Sequence, residues 1–315
     1  MTGAPRIPFL DLRPREDAGA VQVALARVTA RGWYVLGPEL EAFESEFASA
    51  SGTAFAVGTG TGTDAIALLL RAAGVGAGHE VIVPAITAAY TALAVISAGA
   101  TPVIVDVDDE TLTMDPGACA AAITPRTRAL VPVHLYGQAA DMTALTALAA
   151  RHKLAIVEDC CQAHLATCGG APVGTFGIGG AFSFYPTKNL GALGDGGAAV
   201  TNDAQIAQRI KRLRNGGQTT RYMHVEAGIN SRLDELQAAV LRARLPFLLN
   251  WTRIRRKLAA EYRTSLPGRL RPIVERDRGH VYHLFPVRVD DRDALQQALA
   301  SAGVETLIHY PVPLD

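Results

Sequence analysis

Short apolar runs alternate with stretches of helical period through the first 200 positions of the chain. The runs are Ala54–Val57, Glu80–Val83, Pro102–Asp106, Ala129–Val133, Leu154–Glu158, Ala181–Phe184 and Ala198–Thr201; the helical stretches include Gly62–Ala73, Ala88–Ala98, Met142–His152 and Asp203–Asn215. This alternation predicts an α/β fold with a mainly parallel central sheet and helices on both faces. Ala155-Ile156-Val157 is apolar throughout, as a strand covered on both faces requires. Two further helices are predicted ahead of the sheet, Glu16–Arg31 and Glu39–Ser49. A long helical pattern runs from Ser231 to about Ser265, and Pro246 should kink or split it. After Pro267-Gly268 the pattern changes to a strand (Val281–Val289), a helix (Arg292–Ala302) and a short strand near Thr306. The predicted division is an N-terminal segment with a large domain over 1–250 and a small C-terminal α/β domain over 251–315.

Composition narrows the function classes. The 30 basic and 30 acidic residues cancel, which leaves no electrostatic footprint for nucleic acid or a membrane surface. The densest basic run, Arg253-Ile254-Arg255-Arg256-Lys257, has the spacing of a solvated helix face. Four cysteines (Cys119, Cys160, Cys161, Cys168) without paired CxxC spacing argue against a zinc site, and more strongly against a disulfide framework. No metal is expected. The uncharged stretch from Val81 to Val105 is long enough to span a bilayer. Pro84, Gly99 and Pro102 break it, so strand, helix, strand fits better. Met1–Leu12 shows no signal-peptide pattern, and a cytoplasmic protein is expected.

The chemistry concentrates in Phe182-Ser183-Phe184-Tyr185-Pro186-Thr187-Lys188-Asn189-Leu190-Gly191 and the glycine-rich residues that follow, to Gly197. A lone lysine between an aromatic strand and a glycine loop can simply snorkel into solvent. Desolvated, however, a lysine loses its proton more readily, and a neutral amine attacks an aldehyde. Two other segments favour the second reading. Gly58-Thr59-Gly60-Thr61-Gly62-Thr63-Asp64-Ala65 opens a helix, whose free N–H groups and dipole suit an anion. The strand Leu154–Glu158 ends in two acids, Glu158-Asp159, followed by Cys160-Cys161-Gln162-Ala163-His164. A phosphate cup, a strand-end carboxylate and an embedded lysine are what pyridoxal 5'-phosphate (PLP) needs.

These motifs, taken with Val81-Ile82-Val83-Pro84, Gly99-Ala100-Thr101-Pro102-Val103, Val133-His134-Leu135-Tyr136-Gly137-Gln138, the Asn230–Gln237 run and His309-Tyr310-Pro311, resemble the DegT/DnrJ/EryC1/StrS sugar aminotransferases. The resemblance covers nearly the whole chain, from Ile7 to Pro313. It implies a fold-type I PLP-dependent transferase built as a homodimer with sites at the subunit interface. It also implies transfer of an amino group from glutamate or glutamine to a keto group of a nucleotide sugar, or alternatively of a cyclitol. Residue by residue, Lys188 resembles the Schiff-base lysine and Asp159 the partner of the pyridinium nitrogen. Gln162 matches the polar group near the phenolic oxygen, and Gly62, Thr63 and Ser183 match phosphate contacts. Asn230 matches an asparagine given to the other subunit's phosphate. Arg232 and Arg221 could supply basic groups for a diphosphate, although structural ion pairs would explain them equally. His309 and Tyr90 are further substrate-contact candidates, whereas His134 reads as structural.

Three departures qualify the resemblance. Ala88 stands where many members stack an aromatic on the pyridine ring, and Tyr90 is the nearest aromatic. Leu165 stands where glycine is usual. Relatives run on beyond Asp315, so the small domain is expected to be truncated, with a catalytically impaired homologue of regulatory or structural role as an alternative reading. Three rival readings remain. Gly58-x-Gly60 with Glu80 faintly mimics a dinucleotide-binding fingerprint, but Thr63 replaces its third glycine and Lys188 is left unexplained. A regulatory or structural homologue without chemistry would have no need of Lys188 and Asp159. A deoxygenating dehydratase of the same family would carry histidine in place of Lys188.

Overall fold

The computed structural model describes residues 6–315, so the first five residues of the Met1–Leu12 stretch lie outside the described residues. Its central sheet has seven strands: β1 (Phe55–Thr59), β2 (Glu80–Pro84), β3 (Thr101–Val105), β4 (Thr127–Leu130), β5 (Ala155–Asp159), β6 (Gly179–Ser183) and β7 (Gly197–Thr201). Their order is β1-β7-β6-β5-β4-β2-β3. Every neighbouring pair is parallel except the two made by β7, which runs antiparallel to β1 and β6. The helices are α1 (Ala18–Arg31), α2 (Pro38–Ala50), α3 (Gly62–Ala72), α4 (Tyr90–Ser97), α5 (Pro116–Ala122), α6 (Met142–His152), α7 (Ala204–Leu213), α8 (Glu235–Arg244), α9 (Leu248–Ser265) and α10 (Arg292–Ser301).

Successive strand side chains leave on opposite faces, and here both faces are covered. Val81 and Val83 of β2, Val157 of β5 and Ala181 of β6 enter one cluster with Leu69 of α3, Val95 of α4 and Ile210 of α7. Ile82 and Ile156 point the other way, against Cys119 of α5 and Met142 and Leu145 of α6. Phe182 and Val200 meet Phe43 and Phe47 of α2 and Leu241 of α8. Helix α3 is buried almost all round, with Leu68, Leu69 and Leu70 at 0% exposure. Each such leucine stabilises the fold by about 1.5–3 kcal/mol, and together they fix the helix whose first turn carries candidate phosphate contacts.

The structure departs from the predicted elements in several places. Helix α5 has no counterpart among them, although Asp115-Pro116 signals it: Asp115 Oδ1 accepts from Ala118 N at 2.6 Å, with Pro at the first turn. Residues 231–234 are not helical, because the Ser231 hydroxyl is held by Gly60 and Asp64 and α8 starts only at Glu235. The Glu235 carboxylate is fully buried and accepts from the N–H groups of Gly37, Glu39 and Leu40, capping α2. Pro246 does split the long pattern, with a 3-10 turn over Leu245–Phe247 between α8 and α9. The division drawn after position 250 falls inside α9.

Of the predicted strand Val281–Val289 only Val287–Arg288 is a strand, paired with Arg271–Pro272. Its apolar start is diverted to the sheet edge, where Val281 N donates to Gly137 O at 2.9 Å. Near Thr306 there is no strand; the Gln296 amide holds its carbonyl instead. Leu165, where the family resemblance leads one to expect glycine, has φ +62°, the left-handed backbone that glycine adopts without steric cost.

Candidate active site

The carboxyl ends of β1, β2, β4, β5 and β6 share one edge of the sheet, the edge at which such sheets form a crevice. Asp159 closes β5 there and is 5% exposed. Its Oδ2 accepts from the Thr91 hydroxyl at 2.8 Å and its Oδ1 from the Cys161 N–H at 3.1 Å. Thr91 in turn lies 3.0 Å from the Thr87 hydroxyl. A buried carboxylate with a donor on each oxygen is fixed in orientation.

The α3 N-terminus reaches the same edge. Thr61 caps the helix by accepting from Asp64 N at 3.0 Å, while the Gly62 and Thr63 N–H groups find no acceptor among the described residues. A Cβ at Gly62 would lie 2.6 Å from Cys161 Sγ and 2.8 Å from Ser183 Cβ, so only glycine brings the helix this close to β5 and β6. Gly62, Thr63, Ser183 and Asp159 are thereby gathered. The same cradle is tied to the segment before α8, since Gly60 N donates to Ser231 Oγ at 2.8 Å and that hydroxyl donates to Asp64 at 2.7 Å.

Lys188 follows β6, half-buried, with no carboxylate partner for its amine among the described residues. Its charge is felt by a ring of histidines. Burial first, and Lys188 second, hold His164 neutral with its pKa down to about 3, and the same two causes push His283 well below and His309 below the ordinary range. Burial and the nearby Asp159 push the Cys161 thiol up, so it stays protonated. His164 is fully buried against Phe182 and Phe184, and neither ring nitrogen has a hydrogen-bond partner among the described residues.

Gln162, 6% exposed, accepts from Tyr136 N at 2.7 Å and donates to the Tyr310 hydroxyl at 3.0 Å. Burial raises the Tyr310 phenol to about 12, so it stays protonated. Tyr136 OH donates to the His309 carbonyl, and the His309 ring stacks on Phe9 at 5.8 Å. Asn189, beside Lys188, donates to Val281 O at 3.1 Å and faces His283 Nδ1 at 3.2 Å. The C-terminal residues are therefore joined to the sheet edge through Gln162, Tyr136 and Asn189.

The remaining candidates fall elsewhere. Tyr90 is 65% exposed at the start of α4; Thr91, one position on, is the residue that reaches Asp159. Asn230 is exposed and bridges to Asn215, to whose side chain Arg232 donates at 3.0 Å. Arg221 sits on an exposed two-stranded ribbon with its guanidinium 5.0 Å over the Tyr222 ring. None of these four joins the Lys188–Asp159 group within one chain.

His134, Glu158 and Cys160 lie close enough to suggest a metal site, but the histidine is already used. Its Nδ1 accepts from Ala140 N at 3.1 Å, so Nε2 carries the proton and donates to Glu158 at 3.0 Å. Glu158 also accepts from the N–H groups of Gly174, Phe176 and Gly177. His134 is structural, as the sequence suggests. Sequence reasoning missed Thr87, Thr91, Tyr310 and Asn189 as members of the site. The two threonines were visible as hydroxyls four residues apart in the uncharged stretch Val81–Val105. No described helix is long and apolar enough to cross a membrane.

The model of the DegT/DnrJ/EryC1/StrS aminotransferase family matches residues 16–315. The dTDP-3-amino-3,4,6-trideoxy-alpha-D-glucose transaminase of Streptomyces venezuelae is 52% identical over 98% of this chain and 83% of its own length. The dTDP-3-amino-3,6-dideoxy-alpha-D-galactopyranose transaminase of Aneurinibacillus thermoaerophilus is 47% identical over 98% of this chain and 86% of its own. Among solved structures, S. venezuelae DesV in complex with a ketimine intermediate superposes with a TM-score of 0.96 at 51% identity, covering 98% of this chain and 85% of that one. NtdA from Bacillus subtilis with bound cofactor PMP gives 0.87 at 31% identity, covering 98% and 73%.

Proposed function

The chain belongs to the DegT/DnrJ/EryC1/StrS aminotransferase family, and from that premise we propose that it is a PLP-dependent enzyme aminating a nucleotide-linked keto sugar. The observation that carries this reading is the unpaired Lys188 amine beside a buried, doubly hydrogen-bonded Asp159 at the mouth of a glycine cradle. The donor set fits PLP: two amides without acceptors and a hydroxyl for the phosphate, an acid for the ring nitrogen, an amide for the phenolic oxygen, and a free amine for the aldehyde. Bound there, the cofactor supplies an electrophilic carbon and a protonated ring that accepts an electron pair.

The chain's own residues do the rest. Gly62 and Thr63 N–H and the Ser183 hydroxyl would hold the phosphate. Asp159 would keep a proton on the ring nitrogen, a task a neutral side chain cannot perform. Lys188 Nζ would hold the cofactor covalently and, when an incoming amine displaces it, carry a proton between substrate and cofactor carbons as general base and acid. Neutral His164 and His283 add no positive charge of their own beside Lys188.

In this reading residues 251–315 form the smaller unit that brings His309 and Tyr310 to the site. The exposed ribbon with Tyr222 (76%) and Met223 (61%), together with exposed Asn230, supports a second copy of the chain as partner. Arg221 and Arg232 would then serve that interface and a diphosphate at its rim. Four free cysteines support a reducing, cytoplasmic setting.

Both transaminases compared above are named for a 3-amino dTDP sugar, which supports carbon 3 of a dTDP-linked keto-deoxyhexose as the acceptor and glutamate or glutamine as the donor. Loading the enzyme with the amino form of the cofactor, then adding each keto substrate, tests this. Return of the visible cofactor absorbance with a dTDP-3-keto sugar is expected. Return only with a keto-cyclitol would overturn the substrate, and return with neither would overturn the activity.

A further inference from the structure

We propose that Thr91 is a positioning residue for Asp159 and that Thr87 orients Thr91, the three forming a one-way hydroxyl relay that sets the acid against the cofactor's ring nitrogen. The inference rests on the PLP reading above. An ionised carboxylate only accepts, so Thr91 must donate to Asp159 Oδ2 across their 2.8 Å. That commits its one hydrogen, so at 3.0 Å Thr87 must donate to Thr91. The three residues are 4%, 1% and 5% exposed, leaving no bulk water to replace either donor.

Other helical threonines of this chain behave differently. Thr29, Thr146 and Thr264 turn their hydroxyls back onto carbonyls three and four residues earlier in their own helices. Thr91, in the first turn of α4, spends its hydrogen instead on a residue of β5. With Cys161 N–H on the other oxygen, the carboxylate has one donor on each side and cannot swing. Each oxygen keeps a lone pair, which leaves capacity for a ring N–H.

The test uses holoenzyme loaded with PLP labelled with 15N at the pyridine nitrogen, whose resonance reports the proton on that atom. Asp159→Asn should move the resonance to its unprotonated position. Thr91→Val, which keeps the shape and removes the hydroxyl, should move it part of the way and lower kcat roughly tenfold with KM unchanged, the factor a hydrogen bond to a charged group carries. Thr91→Ser should return both to wild type. A wild-type resonance in Thr91→Val beside a shifted one in Asp159→Asn overturns the relay and leaves the PLP reading standing. Failure of Thr91→Ser to rescue also overturns it, since the methyl group would then be what matters. An unshifted Asp159→Asn would sink the ring-nitrogen assignment itself. Should Thr91→Val fail to hold cofactor, Thr87→Val decides: a smaller shift in the same direction is expected, and no shift overturns the relay.

Discussion

Helix α3 and helix α10 are the two extremes of burial among the α-helices. The first buries Ala65 to Leu70 without a break and carries two candidate phosphate amides; the second has no buried residue at all. The groups around Asp159 are built on the first kind of structure, and His309 and Tyr310 on the second. Side chains on the sheet edge are held by strands and buried hydrogen bonds. Those after residue 290 include no buried residue and are held by a few ties: Gln162 to Tyr310, Tyr136 to His309, and Leu314 N to Ala85 O at 2.8 Å. The chemistry is preorganised in the sheet, while the wall over it is attached loosely enough to move.

The largest effect should come from the rigid side. Asp159→Asn keeps the shape and should still bind PLP, but transamination should fall by orders of magnitude, because a neutral amide cannot hold the ring proton. Single-turnover rates on the loaded variant check this, and near-wild-type turnover would mean the electron sink is held elsewhere. Next in size is the contrast itself. Amide hydrogen exchange should be fast over α10 and slow over α3, β5 and β6, with opening free energies differing by several kcal/mol. Equal protection would erase the distinction between the two regions.

The smallest effect is a pH slope. His164 and His280 are buried neutral with their pKa down to about 3, burial being the main cause, whereas the unfolded chain takes up protons near 6.5. The unfolded state therefore binds more protons as pH falls below 6.5. Stability is full above that value and is lost between 6.5 and about 3, by about 1.4 kcal/mol per pH unit for each histidine. Urea unfolding at a series of pH values should show the slope, and His164→Phe should remove one histidine's share. An unchanged slope would mean that His164 is charged in the fold.

Much of the fold was legible because its causes are local. The β2–α4–β3 unit could be read from Pro84, Gly99 and Pro102, and the break at Pro246 from a ring that cannot continue a helix. What was not legible depends on distant partners. Residues 231–234 look helical until Gly60 and Asp64 take the Ser231 hydroxyl, and Val281–Val289 looks like a strand until Gly137 and Asn189 take its start. The site divides in the same way. Gly62 and Asp159 announce themselves as residue types that are odd in their local setting, whereas Ser183 was reached only through the family resemblance. Thr91 does not, because a threonine in an apolar helix is ordinary until the fold brings a carboxylate to it.

On this reading Lys188 is the residue that holds the cofactor. Borohydride reduction of PLP-saturated protein, followed by proteolysis and mass spectrometry, tests it in one measurement. The added cofactor mass is expected on the peptide containing Lys188, with complete loss in Lys188→Ala. Stable labelling of a different lysine, or none in the saturated wild type, would contradict it.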